Sequence, residues 1–206
     1  MAQIYFKSIS DALAKTLSYV SKEDAAGAAS ELMFEKYGTL DRILSADANI
    51  LACEEKIGAK NAHFVKLIAS VISRAKTEEY KFGAKHTPEE TDEYFKALLL
   101  PRSVECVYAM SFDAKGRAIA CDLVSEGVVN SSELLPRKVV EIATRRRAVY
   151  MILAHNHPHG VANPSDDDIS STMSIARILS NLNIKLVRHI IVSGNHSASV
   201  GVGGEL

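Results

Sequence analysis

The chain has 206 residues, enough for one large domain or two small ones. Hydrophobic residues at 47% and charged residues at 24% exclude extended disorder, and a formal charge of -1 removes any general electrostatic reason to bind nucleic acid. No stretch has the length and apolarity of a membrane span, and residues 1–7 lack the apolar core of a secretion signal. The three cysteines, Cys53, Cys106 and Cys121, are widely separated and outside C-x-x-C pairs, so they read as reduced thiols. Together these features read as a cytoplasmic protein with no membrane partner.

Residues 1–86 carry helical patterning throughout. Ala12, Leu13, Leu17 and Val20 form a first apolar stripe. Ser21 is placed to cap a second helix through Ala25, Ala28, Leu32, Met33 and Tyr37, which Gly38 would stop. Residues 40–44 and 48–53 read as two short helices. After a break at residues 55–61, Val65, Ile68, Ala69 and Ile72 follow the i, i+3, i+4, i+7 rule of a longer helix. Residues 77–88 are polar, contain Gly and Pro and lack periodicity, so the domain boundary is placed there: a helical domain over 1–86 and a second domain over 87–206.

Thr87-Pro88-Glu89-Glu90 reads as a capped helix start. Residues 103–112 form a strand, Asp113 to Gly116 a hairpin turn, and residues 118–125 the antiparallel return. Pro136 suits the first turn of a helix through Val139, Val140, Ile142 and Ala143, closed by Arg145-Arg146-Arg147. The apolar run of residues 149–154 reads as a strand buried on both faces. A helix from Ser165 follows, with Ile169, Met173, Ala176 and Leu179 as its core stripe, then a buried strand over 184–192. The fold class expected is α/β, a mixed sheet flanked by helices, preceded by a small all-α domain. The glycine-rich end from Gly201 reads as a frayed tail.

The chemistry concentrates between the last two of these strands, in His155-Asn156-His157-Pro158-His159-Gly160 and, further on, Ser165-Asp166-Asp167-Asp168. With a strand period of two, His155 and His157 leave on one side with Cα atoms on the order of 6.5 Å apart. Asp168 supplies a third ligand from the start of the next helix. Two imidazoles and one carboxylate leave a tetrahedral Zn²⁺ with an open position, the arrangement of a catalytic site. Ser165 and Asp168 also make an ordinary S-x-x-D capping pattern, and the two roles are compatible.

His155-x-His157, ten intervening residues, Asp168 and Ser165 resemble the metalloprotease motif of the JAB1/MPN/Mov34 (JAMM) family, in particular its bacterial RadC branch. HNH nucleases fit less well because their motif residues are dispersed, and His159 stands where a metallo-β-lactamase would need Asp. The resemblance implies an MPN-type fold and Zn²⁺-dependent hydrolysis of a peptide or isopeptide bond in a peptide or protein substrate. It implies a Glu general base on an upstream strand, for which Glu105 is the matching position and Glu126 and Glu133 are rivals. It also implies that Ser165 stabilises the oxyanion. RadC proteins carry a helix-hairpin-helix module before the metalloprotease domain. Here Lys56-Ile57-Gly58 lacks the module's first glycine, and Gly58 with Lys60 would be its weak contact to DNA. Relatives tend to have Asp where this chain has Arg188 before His189. The alternative reading is a non-enzymatic DNA-associated protein of the RadC type, with its DNA-repair label. A metal-dependent nuclease ranks last, for want of the extra carboxylates of a two-metal site.

Overall fold

The computed structural model describes residues 7–127, 134–158 and 160–202. Its contacts divide the chain into two compact units, Met1–Ser73 and Arg74–Leu206.

The first unit is helical. It holds α1 (Ile9–Leu17), α2 (Glu23–Tyr37), α3 (Leu40–Ser45), α4 (Ala48–Cys53) and the greater part of α5 (Gly58–Glu79). Leu13 and Leu17 of α1 are buried, as are Ala26, Ala29 and Met33 of α2, one residue off the Ala25–Ala28 stripe expected of it. Ser21 does not cap α2. Its hydroxyl donates backwards to Leu17 O at 3.1 Å, while Lys22 takes the cap position without a side-chain bond. Gly38 does end α2, at φ +78. Asp47 caps α4 by accepting from the amides of Asn49 and Ile50.

The second unit contains α6 (Pro88–Leu99), β1 (Cys106–Phe112), β2 (Ala118–Glu126), α7 (Leu134–Arg145), β3 (Tyr150–Asn156), α8 (Asp166–Ser180), β4 (Lys185–Ser193) and β5 (His196–Gly201). They form a mixed five-stranded sheet of order β2-β1-β3-β4-β5. β3 and β4 pair in parallel across the α8 crossover; every other pairing is antiparallel. This is the helix-flanked mixed sheet expected from the pattern. β5 was not foreseen: His-Ser-Ala-Ser-Val-Gly is weakly apolar, and it becomes a strand by pairing with the open side of β4. The tail beyond it, residues 203–206, lies outside the described residues.

The alternation of strand residues separates two cores. On one face Cys106, Tyr108, Met110, Ile152, Ala154, Ile190 and Val192 pack with Tyr94, Phe95 and Leu99 of α6. On the other, Val107, Ala109, Met151, Leu153 and Leu186 pack with Val139, Ile142 and Ala143 of α7 and with Ile175 and Leu179 of α8. Thr87 and Glu90 close the expected capping box of α6. The polar stretch before α6 also joins this unit. Tyr80 is buried in the α6-side core, the Gly83 amide donates to Ala118 O at 2.7 Å, and the Ala118 amide donates to Ala84 O at 2.9 Å.

α8 is rotated from its expected orientation. Thr172, Ile175 and Leu179 are buried, whereas Ile169 and Met173 are 40% and 42% exposed. Asp168 decides this. With 3.6 residues per turn, turning Asp168 toward the end of β3 turns Thr172 and Ile175 inward behind it.

Candidate metal centre

The centre is built where β3 ends and α8 begins. His155 is almost wholly buried, opposite Val107 of β1 and Ile191 of β4. His157 lies just past the strand, its amide donating to Val192 O at 2.8 Å. The loop that follows folds back on it. Val161 O faces His157 Nδ1 at 3.0 Å, a Cβ at Gly160 would stand 3.4 Å from His157 Cβ, and the Ser193 hydroxyl donates to Gly160 O at 2.9 Å. His159 itself lies outside the described residues.

Ser165 caps α8. Its Oγ accepts from the Asp168 amide at 3.1 Å and donates to Asp168 Oδ2 at 2.6 Å, and its own amide donates to the same Oδ2 at 2.8 Å. The capping box thus fixes the carboxylate rather than competing with it for a role. His155 Nε2 and His157 Nε2 stand 2.9 Å apart. Asp168 Oδ1 is 3.2 Å from the first and Oδ2 is 3.5 Å from the second. The His155, His157 and Asp168 donor atoms all lie within 4.8 Å of one another. Burial alone would raise the Asp168 carboxyl, yet the neighbouring His155 ring and the hydrogen bonds from Ser165 hold it well below the usual carboxylate range.

Behind His155 stands His189 of β4, whose Nε2 is 2.8 Å from His155 Nδ1 and whose Nδ1 is 2.7 Å from Thr172 Oγ1. Burial, reinforced by the neighbouring imidazoles, pushes His189 down to about 3, so it is neutral at ordinary pH. Arg188 faces away, its guanidinium in an ion pair with Asp92 Oδ1 at 2.7 Å and donating to Pro88 O at 3.0 Å on the α6 side. Arg188 is therefore no obstacle to the imidazole cluster.

Glu105 immediately precedes β1 and is exposed. It lines the same cleft, of about 1000 Å³, as His155, His157, Ser165 and Asp168. Its rival Glu126 is held by Arg102 at 3.1 Å and does not line that cleft; Glu133 lies outside the described residues.

Three residues of this neighbourhood carried no functional assignment from sequence. Asn156, between the two histidines, is buried on the opposite face and bridges to the segment bearing Glu105. Its Oδ1 accepts from the Cys106 amide at 2.7 Å, and its Nδ2 donates to Val104 O at 3.0 Å and Arg102 O at 3.3 Å. The only signal was an amide side chain continuing a doubly buried strand. His189 and Thr172 gave the same kind of signal, a polar residue on a face otherwise filled by aliphatic side chains. Among the basic residues, Arg145 and Arg146 both pair with Asp122, at 3.3 and 2.7 Å. In the helical unit, Gly58 opens α5 at φ +68, and Lys56 and Lys60 beside it are exposed.

A His-x-His pair and an Asp, gathered where a strand of a mixed sheet passes to a helix, define a JAB/MPN-type α/β domain. The chain belongs to the RadC-like JAB domain family, whose model matches residues 85–204. It is 32% identical over 175 residues to the UPF0758 protein PBPRA0202 of Photobacterium profundum, covering 84% of this chain and 78% of that one. It is 31% identical over 178 residues to a UPF0758 protein of Vibrio campbellii, covering 85% and 79%. A UPF0758 protein of Chromobacterium violaceum is 30% identical over 177 residues, covering 84% and 78%. Family membership supports a JAMM-related hydrolase or a DNA-repair-associated role. Among the described residues, no helix is long and apolar enough to cross a membrane.

Proposed function

We propose that the protein is a zinc-dependent hydrolase cleaving a peptide or isopeptide bond, with His155, His157 and Asp168 as metal ligands. The observation that carries this reading is the convergence of the two Nε2 atoms and the carboxylate. Val161 O can only accept, so His157 Nδ1 carries a proton and, in the neutral ring, Nε2 presents a lone pair. Two ring nitrogens and a carboxylate that stays ionised suit Zn²⁺. Ligand atoms about 2.0–2.1 Å from a tetrahedral ion stand roughly 3.3 Å apart, near the separations here.

Zn²⁺ at these ligands would supply a water acidic enough to ionise near neutral pH and a charge to polarise a carbonyl. Glu105, open to the cleft, accepts a proton from water and returns it to the leaving amine. Asn156 holds the backbone on both sides of Glu105, limiting its wander. The Ser165 hydroxyl, now donating to Asp168, serves an oxyanion only after rotating off that carboxylate.

The test is elemental analysis of purified protein after zinc-supplemented, chelator-free preparation, alongside His155→Ala and Asp168→Asn variants. About one zinc per chain, lost in both variants, is the expected result. A metal-free wild type would sink the reading. Cleavage of peptide but not of DNA by the loaded protein separates a peptidase from a nuclease.

The second reading is a DNA-associated role through the helical unit, supported by the exposed Lys56 and Lys60 on either side of Gly58, which opens α5 in the left-handed region. Duplex retention that falls steeply with salt and is weakened by Lys60→Glu would favour it.

A further inference from the structure

Resting on the metal-site reading above, we infer that Thr172 and His189 are positioning residues forming a hydrogen-bonded relay that sets the tautomer of His155. The relay starts at a backbone carbonyl. The Thr172 hydroxyl has one proton, and it is donated to Asp168 O at 2.5 Å. Toward His189, 2.7 Å away, Thr172 Oγ1 can therefore only accept, so His189 Nδ1 carries a proton.

His189 is 4% exposed, and its two ring nitrogens bond to Thr172 and His155, not to a carboxylate. A charged imidazole in that position would be costly, so the ring is neutral and Nε2 is left as a lone pair. That lone pair accepts from His155 Nδ1 at 2.8 Å. His155 Nε2 is then the bare nitrogen, and it is the one that faces His157 and Asp168. Each link is forced by the one before, because every group has a single proton to place.

Metal-binding histidines commonly donate their second nitrogen to a carboxylate or a backbone carbonyl. Here the acceptor is another neutral histidine, which could carry its proton on either nitrogen. Thr172 removes that freedom. If His189 moved its proton to Nε2, His155 would have to accept at Nδ1 and hold its own proton at Nε2, where the ligand lone pair is needed. Thr172 belongs to α8, one turn after Asp168, so one helix carries both a ligand and the group that selects the tautomer of another.

The relay is tested by ring ¹⁵N NMR on the metal-free full chain and by zinc titration of Thr172→Val and Thr172→Ser. Expected are Nδ1–H tautomers for both His155 and His189 in the wild type. Thr172→Val keeps the shape but not the hydroxyl, and it should bind zinc about 10–100-fold more weakly. Thr172→Ser should recover most of that loss. An Nε2–H tautomer at either histidine, or Thr172→Val binding zinc as tightly as wild type, overturns the relay and leaves the metal site standing. A wild type with the expected tautomers that takes up no zinc overturns the metal reading, and with it the relay's role in ligation.

Discussion

Buried and half-buried polar groups are used differently in the two units. In the helical unit they donate to backbone carbonyls at helix ends, within one helix or from one helix to the next. Lys66 Nζ donates to Leu44 O at 2.8 Å and Ala46 O at 2.9 Å at the end of α3, and Asn61 Nδ2 donates to Ile57 O at 2.9 Å. In the sheet unit, Thr172, His189, His155, His157 and Asp168 are linked across β3, β4 and α8. Their chain ends on two ring nitrogens and a carboxylate that face one another. The comparison teaches that polar burial alone does not mark a site. The mark is a polar network whose proton count leaves acceptors facing one another.

Glu105→Gln is the largest break expected on the sheet side. Peptide cleavage should fall about 10²–10⁴-fold with zinc content unchanged. Glu126→Gln, which only releases Arg102, should leave both intact. Equal losses in the two variants, measured as kcat/KM, would remove Glu105 from its role.

Ser165→Ala should weaken zinc binding on the order of 10–100-fold, because Asp168 Oδ2 loses the hydroxyl that orients it. A zinc titration checks this, and an unchanged affinity with slower cleavage would point to the oxyanion role alone.

Asn156→Ala strands the Cys106 amide and two carbonyls, so denaturant unfolding should show a stability loss on the order of 1–3 kcal/mol. A stability equal to wild type would mean that water replaces the amide and that the Glu105 segment is braced otherwise.

The smallest effect sharpens the contrast through pH. Burial pulls the Lys66 ammonium down to about 8 despite the nearby Asp47 carboxylate. Between pH 8 and the unfolded value of 10.5 the unfolded chain binds more protons, so this group's contribution to stability rises with pH. Tyr94 in the sheet unit runs the other way. Burial raises its phenol, so stability falls as pH climbs past the unfolded value of 10. Lys66→Met should erase the rise and Tyr94→Phe should soften the fall; alkaline denaturation curves matching wild type would refute both.

Much of the sheet unit was legible because its strands are runs of aliphatic residues and its turns carry Gly116 and a capped Thr87. The His155, His157 and Asp168 spacing was legible too, since a strand exit and a helix start are both local. Ser21 and the α2 stripe were misread because short, alanine-rich helices offer more than one apolar face. β5 escaped because an edge strand draws its order from a neighbour.

By itself, then, the sequence determined the element order, the α/β class and the three residues brought together at the end of β3. These follow from periodicity and capping, which act over a few residues. Only the tertiary structure decided which face of α8 is buried, that Glu105 and not Glu126 shares the cleft, and that Thr172, His189 and Asn156 support it. Those outcomes depend on residues distant in sequence, such as His155 and His189, meeting across strands, where the packing of the sheet sets distance and proton placement.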